Sequence, residues 1–328
     1  MNTLAFMQPD KRISQKFAPA RRAGDQSGSG RHGRQRVLVL LACCSIGCLT
    51  LPKLSGEASS GVARGQEPRR EARTNARTFE SSFAEVLTYV DDRGLVRYTD
   101  LKGHRRVLDN FARQMKGADG TAVASWPAPD QIAFWINAYN GLTLLAVVDH
   151  YPIEPSFWAA FRFPANSIRQ ISGVWDELQF DVAGRRLTLD DIEHRILRRE
   201  FDEPRIHMAL VCAALGCPPL RAEPYSGDRL EAQLDDQSRR FLSNPAKCRI
   251  DPAGGVVELS PIFDWYGADF IGRYAPTEGF AGRNPKQAAV LNFISRYVGP
   301  RLREFLRNGA YQVRYSGYDW SLNEKNGG

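Results

Sequence analysis

Residues 131–150, QIAFWINAYNGLTLLAVVDH, place apolar side chains on nearly every face of a helix and leave no polar stripe for solvent. Such a helix is stable only when other elements enclose it, so the chain must fold in layers around this segment. Asp130, within Trp126-Pro127-Ala128-Pro129-Asp130, is placed to cap its first turn, and Tyr151-Pro152 to end it. Apolar spacing predicts further helices over 79–90, 104–115, 189–199, 227–242, 285–298 and 301–306. Thr188 is a suitable cap for the helix from 189.

Strands are expected over 178–182, 205–212 and 311–315, with a hairpin over 248–259 around Asp251-Pro252-Ala253-Gly254-Gly255. Phe157, Trp158, Phe161 and Phe163 are expected to pack. These elements describe an α+β fold, a helix-dominated single domain with a small, mainly antiparallel sheet over 79–328.

The formal net charge of the 328 residues, +7, suggests an anionic partner until it is divided along the chain. Residues 1–78 contain 14 basic and 5 acidic side chains, a balance of +9, which leaves 30 basic and 32 acidic, −2, for the rest. Nucleic acid is therefore not expected as a partner of the body. Within the basic leader (1–54), residues 37–51 form an uncharged apolar run, shorter than the roughly 20 residues of a permanent span. With Arg34 and Arg36 ahead of it, the run fits a secretory signal or a membrane anchor. Leu40-Leu41-Ala42-Cys43 also fits a lipid-attachment signal, which would tether the protein. Residues 55–78 are polar and read as a disordered linker. The protein is thus expected to be exported, periplasmic or envelope-associated.

Three cysteines, Cys212, Cys217 and Cys248, remain in the body, so at least one is unpaired within the chain. If 205–212 is a strand, His207 and Cys212 point to opposite faces, and the following loop can return Cys217 to His207. Pro218 gives Cys217 the extended backbone of a helix cap, where a helix N-terminus would favour the thiolate. Cys217 with His207 is then the minimum for nucleophilic catalysis. Cys217 can equally be a structural thiol, a disulfide partner or a metal ligand, and Cys212 a small core residue or the partner of Cys217.

Asp190, Glu193, His194 and Leu197 fall at helical spacings of three and four. Glu193 or His194 can orient His207, or His194 can complete a metal site with His207 and Cys217; a solvated helix face is the alternative. Asn137 and Asn140, beside Tyr139 on the apolar helix, are amides that either touch substrate or hold a loop. Asp264, Trp265 and Tyr266, like Tyr318, Asp319 and Trp320, join an acid to aromatics and suit either a pocket or docking of the C-terminus. There is no Gly-rich phosphate loop, no G-x-S-x-G and no H-E-x-x-H, and no cofactor is expected.

The segments AFWINAYN (133–140), IEHRILR (192–198), His207–Leu220 and YDWSLN (318–323) together resemble, in order, the domain-of-unknown-function family numbered 547. The resemblance implies that the motifs form one domain and that the protein belongs with other exported members; it assigns no reaction. The leading functional expectation is a thiol-dependent hydrolase or acyl transferase, with Cys217 as nucleophile, His207 as base and Glu193 or His194 as orienter. In it Asn137, Tyr139, Asn140, Asp264 and Trp265 contact the ligand. The alternative is a non-catalytic envelope module that binds a small molecule or peptide in the same cleft.

Overall fold

In the computed structural model, which describes residues 67–325 and their side chains from Ala76, the apolar helix lies at the centre of the larger core cluster. Preceding it are α1 (Glu67–Leu87), α2 (Tyr98–Gly103), α3 (Arg106–Gly117) and α4 (Gly120–Ser125). The central helix, α5, spans Ala128–Asp149, and every residue from Ile132 to Val148 is buried. By length and composition it could cross a membrane, but it is enclosed by protein, contacting α1, α2, α3, the 191–197 turns and α6 (Leu230–Leu242). Pro127 occupies its cap position without a side-chain bond, so Asp130 stands in the first turn rather than at the cap.

The leader and the apolar run 37–51 lie outside the described residues. The helix expected from Phe79 begins at Glu67, so the last part of the expected linker is helical. Ala76, Phe83, Val86 and Leu87 form its buried apolar side, at helical spacing.

Gly141 lets α3 approach α5: a Cβ there would land inside the Phe111 ring. Gly141→Ala gains up to about 1 kcal/mol of helix propensity but overpacks a fully buried ring. A net loss of about 1–3 kcal/mol is expected; an unchanged or raised urea midpoint would refute this contact.

Glu80, on α1, has its carboxyl pushed up to about 7 by burial and by Asp228 and Asp130, against Arg229 and Arg77. Between its unfolded value near 4.5 and about 7, the folded state holds a proton that the unfolded state has lost. This contribution to stability therefore falls as pH rises through that window. Thermal melts from pH 4.5 to 8 should show a smaller loss of Tm with rising pH in Glu80→Gln than in the wild type; parallel curves would contradict it.

After α5, the 151–170 loop does not pack as expected. Phe157, Trp158 and Phe161 are 70%, 79% and 78% exposed, and only Phe163 finds a ring partner in the body, Trp320. Strands β1 (Phe180–Val182) and β2 (Arg185–Leu187) form a hairpin about Ala183-Gly184. The expected 189–199 helix starts with a reciprocal cap: Asp191 N–H donates to Thr188 Oγ1, and Thr188 N–H to the Asp191 carboxylate. Its body, Asp191–Leu197, is a π-helix, in which Arg198 N–H donates to the Glu193 carbonyl.

The expected strand 205–212 is instead a 3-10 turn, Pro204–Met208, followed by irregular chain. Pro204 presets the first turn, and the Glu203 carboxylate accepts from Arg205 N–H and pairs with its guanidinium. Apolar periodicity cannot distinguish strand from buried turn over so short a run.

The second core cluster uses the end of α6, the helical turns within Ile262–Tyr274, α7 (Pro285–Ser295) and α8 (Pro300–Asn308). Its sheet has the order β3 (Cys248–Asp251), β4 (Val256–Leu259), β5 (Gln312–Tyr315); β3 and β4 are antiparallel, and β5 joins β4 in parallel. The α+β class stands, with two small sheets in place of one.

Candidate functional site

The 204–208 turn joins the two core clusters, because Ile206 belongs to one and Met208 to the other. His207 stands between them, 3% exposed. Its Nε2 lies 2.8 Å from Asp269 Oδ2, and its ring stacks on Tyr266 at 4.1 Å. A carboxylate only accepts, so Nε2 carries the proton. Burial pushes the imidazole's pKa down, against the opposing pull of Asp269, which keeps the ring neutral.

Asp269 is also gripped by Arg198, through Nε at 2.7 Å and a terminal nitrogen at 2.9 Å. Burial alone would raise its carboxyl; the His207 and Arg198 hydrogen bonds outweigh that and hold it well below the usual range. The charged pair is therefore Arg198–Asp269, with His207 as a neutral donor.

The π-helix supplies the opposite side. Glu193, 7% exposed, accepts from the hydroxyls of Tyr139 and Tyr266. Burial, and then the Glu193 charge, push both phenols well above their ordinary values, so both remain protonated donors. His194 Nδ1 accepts from Arg198 at 3.0 Å, and its Nε2 lies 3.7 Å from Asp190. Short π segments inside helices recur at functional sites.

Cys217 is joined to Cys212 by a disulfide. The Tyr318 hydroxyl sits 3.3 Å from Cys212 Sγ and 3.1 Å from Cys217 Sγ, and Cys212 N–H donates to Cys217 Sγ at 3.0 Å. Gly216 is required beneath Tyr318, since a Cβ there would be 2.6 Å from the ring. Ala213, at φ +60°, is left-handed, a strain of about 1–3 kcal/mol. It is held by the C-terminal segment: Asn323 N–H donates to Ala213 O, Leu215 N–H to Ser321 O, and Gly216 N–H to Asp319 O.

The expected Cys217–His207 pair is therefore not assembled. The thiol is consumed by Cys212; the imidazole gives Nε2–H to Asp269 and keeps the lone pair of Nδ1. No helix follows Cys217, so no helix N-terminus acts on it. The metal alternative also falls away: among the described residues no three ligating side chains converge. Among the described residues Cys248 is the free thiol, and burial pushes it up to about 12.

Asn137 and Asn140 hold loops. Asn140 Nδ2 donates to Ala209 O, and its Oδ1 accepts from Val211 N–H; Asn137 makes the same pair of bonds with Tyr225. Each amide thus gives one donor and its oxygen to backbone, which is the loop-holding role. Tyr139 is 2% exposed and turned to Glu193 rather than to solvent. Asp264 is drawn off to Lys286 Nζ, 2.6 Å away, at the start of α7. Trp265 does reach the site, packing on Tyr318 at 5.0 Å and stacked with Trp320 at 6.4 Å. The sequence reading missed Arg198 and Asp269. The spacing of four between His194 and Arg198 was a usable signal; nothing local pointed to Asp269.

The family model described as "Protein of unknown function, DUF547" matches residues 123–242. Over that span, a little over a third of the chain, the sequence is similar to DUF547. The matched span holds Asn137, Asn140, Glu193, His194, Arg198, His207 and both bonded cysteines. Tyr266, Asp269 and Tyr318 lie beyond it, so the site combines the DUF547 segment with the chain that follows, and the YDWSLN motif stands outside the match. No curated protein and no solved structure matches the chain.

Proposed function

We propose that this protein is an exported envelope module that binds a peptide or small molecule without transforming it. The observation that carries the reading is the consumption of Cys217 by Cys212, which leaves no free thiol to act as nucleophile. What remains is a half-buried aromatic cluster of Trp265, Tyr318 and Trp320, with Tyr266, next in sequence to Trp265, donating to the buried Glu193 carboxylate. Aromatic surface with a few placed polar groups is the usual make-up of a ligand site. Export is supported by the basic leader, the 37–51 run and a disulfide, which persists in oxidising compartments.

A panel of acetylated tripeptide amides tests this by tryptophan emission. At least one should shift the emission of the wild type and not that of Trp265→Ala; no shift with any peptide, or a shift that survives the substitution, counts against this surface.

Thiol hydrolase or acyl-transfer chemistry is the second reading, favoured by one observation: Cys212 N–H and Tyr318 OH both address Cys217 Sγ and would stabilise a thiolate. It requires an external dithiol, which gives two electrons and two protons to the disulfide and is itself oxidised. Without reductant, iodoacetamide should leave Cys217 unmodified. Hydrolysis of p-nitrophenyl acetate that appears only after dithiothreitol and vanishes in Cys217→Ser would establish the second reading over the first.

A further inference from the structure

We propose that the tip of the 151–170 loop is a membrane anchor, in which Phe157, Trp158 and Phe161 enter the headgroup boundary of a lipid bilayer. The proposal rests, for how the domain reaches a bilayer, on the export reading above.

Among the described residues, these three and Leu215, at 41%, are the exposed large hydrophobics. Exposures of 70–79% mean that the rings project from the surface rather than line a groove. They form one group: Phe157 meets Trp158 edge-on at 5.0 Å and Phe161 edge-on at 5.8 Å.

The loop behind them is built to present them. Ser156 N–H donates to Gln170 Oε1, and Gln170 Nε2 donates to Phe163 O and Pro164 O, with Gln170 itself 5% exposed. The Arg169 guanidinium lies over Phe163 at 4.5 Å, Trp320 at 5.1 Å and Trp175 at 5.4 Å, pinning the base of the loop to the body. The three rings are thus held outward by buried contacts, at the cost of leaving apolar area in water.

A bilayer is the occupant that fits. Tryptophan and phenylalanine are favoured on the apolar side of interfacial segments, and Arg162, exposed and next in sequence, suits a lipid phosphate. The chain ahead of α1 includes the apolar run 37–51 and its arginines, and one weak anchor becomes stable when a second is added.

All six tryptophans lie in the described residues, and Trp158 is the one with high exposure, so tryptophan emission reports the loop and not the leader. The full chain is mixed with 3:1 phosphatidylethanolamine–phosphatidylglycerol vesicles, with or without brominated acyl chains. Bromine should quench the wild type, and Trp158→Phe should lose about two-thirds or more of that quenching. Phe157→Ser/Phe161→Ser, which keeps Trp158, should need about ten-fold more lipid for half-quenching. Circular dichroism checks that both variants fold.

Sedimentation with the vesicles reads the leader separately. A chain that pellets but shows no quenching, or quenching indifferent to Trp158→Phe, overturns the loop anchor and leaves the tether standing. A chain that neither pellets nor is quenched overturns both. Protection of Trp158 from acrylamide that grows with protein concentration in the absence of lipid overturns the anchor in favour of self-association.

Discussion

Asn140→Ala should lower the unfolding free energy by about 4 kcal/mol, since it strands two buried backbone groups at about 1–3 kcal/mol each and leaves a small cavity. The amide, 1% exposed, is the partner of both Ala209 O and Val211 N–H. Ala209 and Val211 are themselves buried, and the chain they belong to leads directly into Cys212. Against a typical total of about 5–15 kcal/mol, this loss removes about a quarter or more of the stability. Urea titration followed by circular dichroism measures it. Asn140→Asp retains the acceptor for Val211 but turns a second oxygen on Ala209 O, so it should also destabilise. A shift below about 0.5 kcal/mol in Asn140→Ala would mean that the clamp is dispensable.

Asp269→Ala should cost about 3 kcal/mol, because it leaves the Arg198 guanidinium, 15% exposed, and the His207 Nε2–H without their acceptor. The estimate sits at the low end for a broken buried pair, since Asp269 is itself 26% exposed and Arg198 keeps His194 as an acceptor. Adding Arg198→Met should recover part of the loss, as the uncompensated charge is then gone. Additive single and double variants in the same urea titration would show that the pair is not coupled. The sign with pH follows from the depressed carboxyl. Its contribution is complete above the ordinary aspartate range and is lost only as pH falls below it, so the cost of Asp269→Asn should be flat from pH 7 to 8, where His207 is neutral folded and largely neutral unfolded.

Taken together, the two variants separate the layers of the site. Asn140 acts on the backbone that carries Cys212 and Cys217, while Asp269 acts on the polar seam between the two core clusters. Neither substitution touches the exposed loop, so Trp158 quenching by brominated vesicles should be unaffected wherever the variant remains folded.

Much of the fold was legible because it is local. The all-round apolar composition of 131–150 requires a buried helix, and α5 is buried from Ile132 to Val148. The Thr188–Asp191 cap and the β3–β4 hairpin follow from residues within a few positions of each other. Failures came where a short apolar run could serve two geometries, as at 205–212. They also came where burial was inferred from hydrophobicity alone, as at Phe157, Trp158 and Phe161. A loop sequence does not say whether anything covers it.

The residue types of the site, His207, Glu193, His194, Cys212 and Cys217, were readable in advance, but their partners were not. The single imidazole proton of His207 is given to Asp269, 62 positions downstream, and the phenol of Tyr318 reaches both sulfurs from 106 and 101 positions away. Each polar atom has a limited number of bonds, so whichever group packing brings within reach takes it. By itself the sequence determined a leader and linker of +9, a nearly neutral body and a central buried helix, all properties of composition and local spacing. Only the tertiary structure decided that the histidine would be oriented by Asp269 and Arg198 and that Tyr318 would cover the bonded cysteines, because that depends on which distant side chains the folded core places beside them.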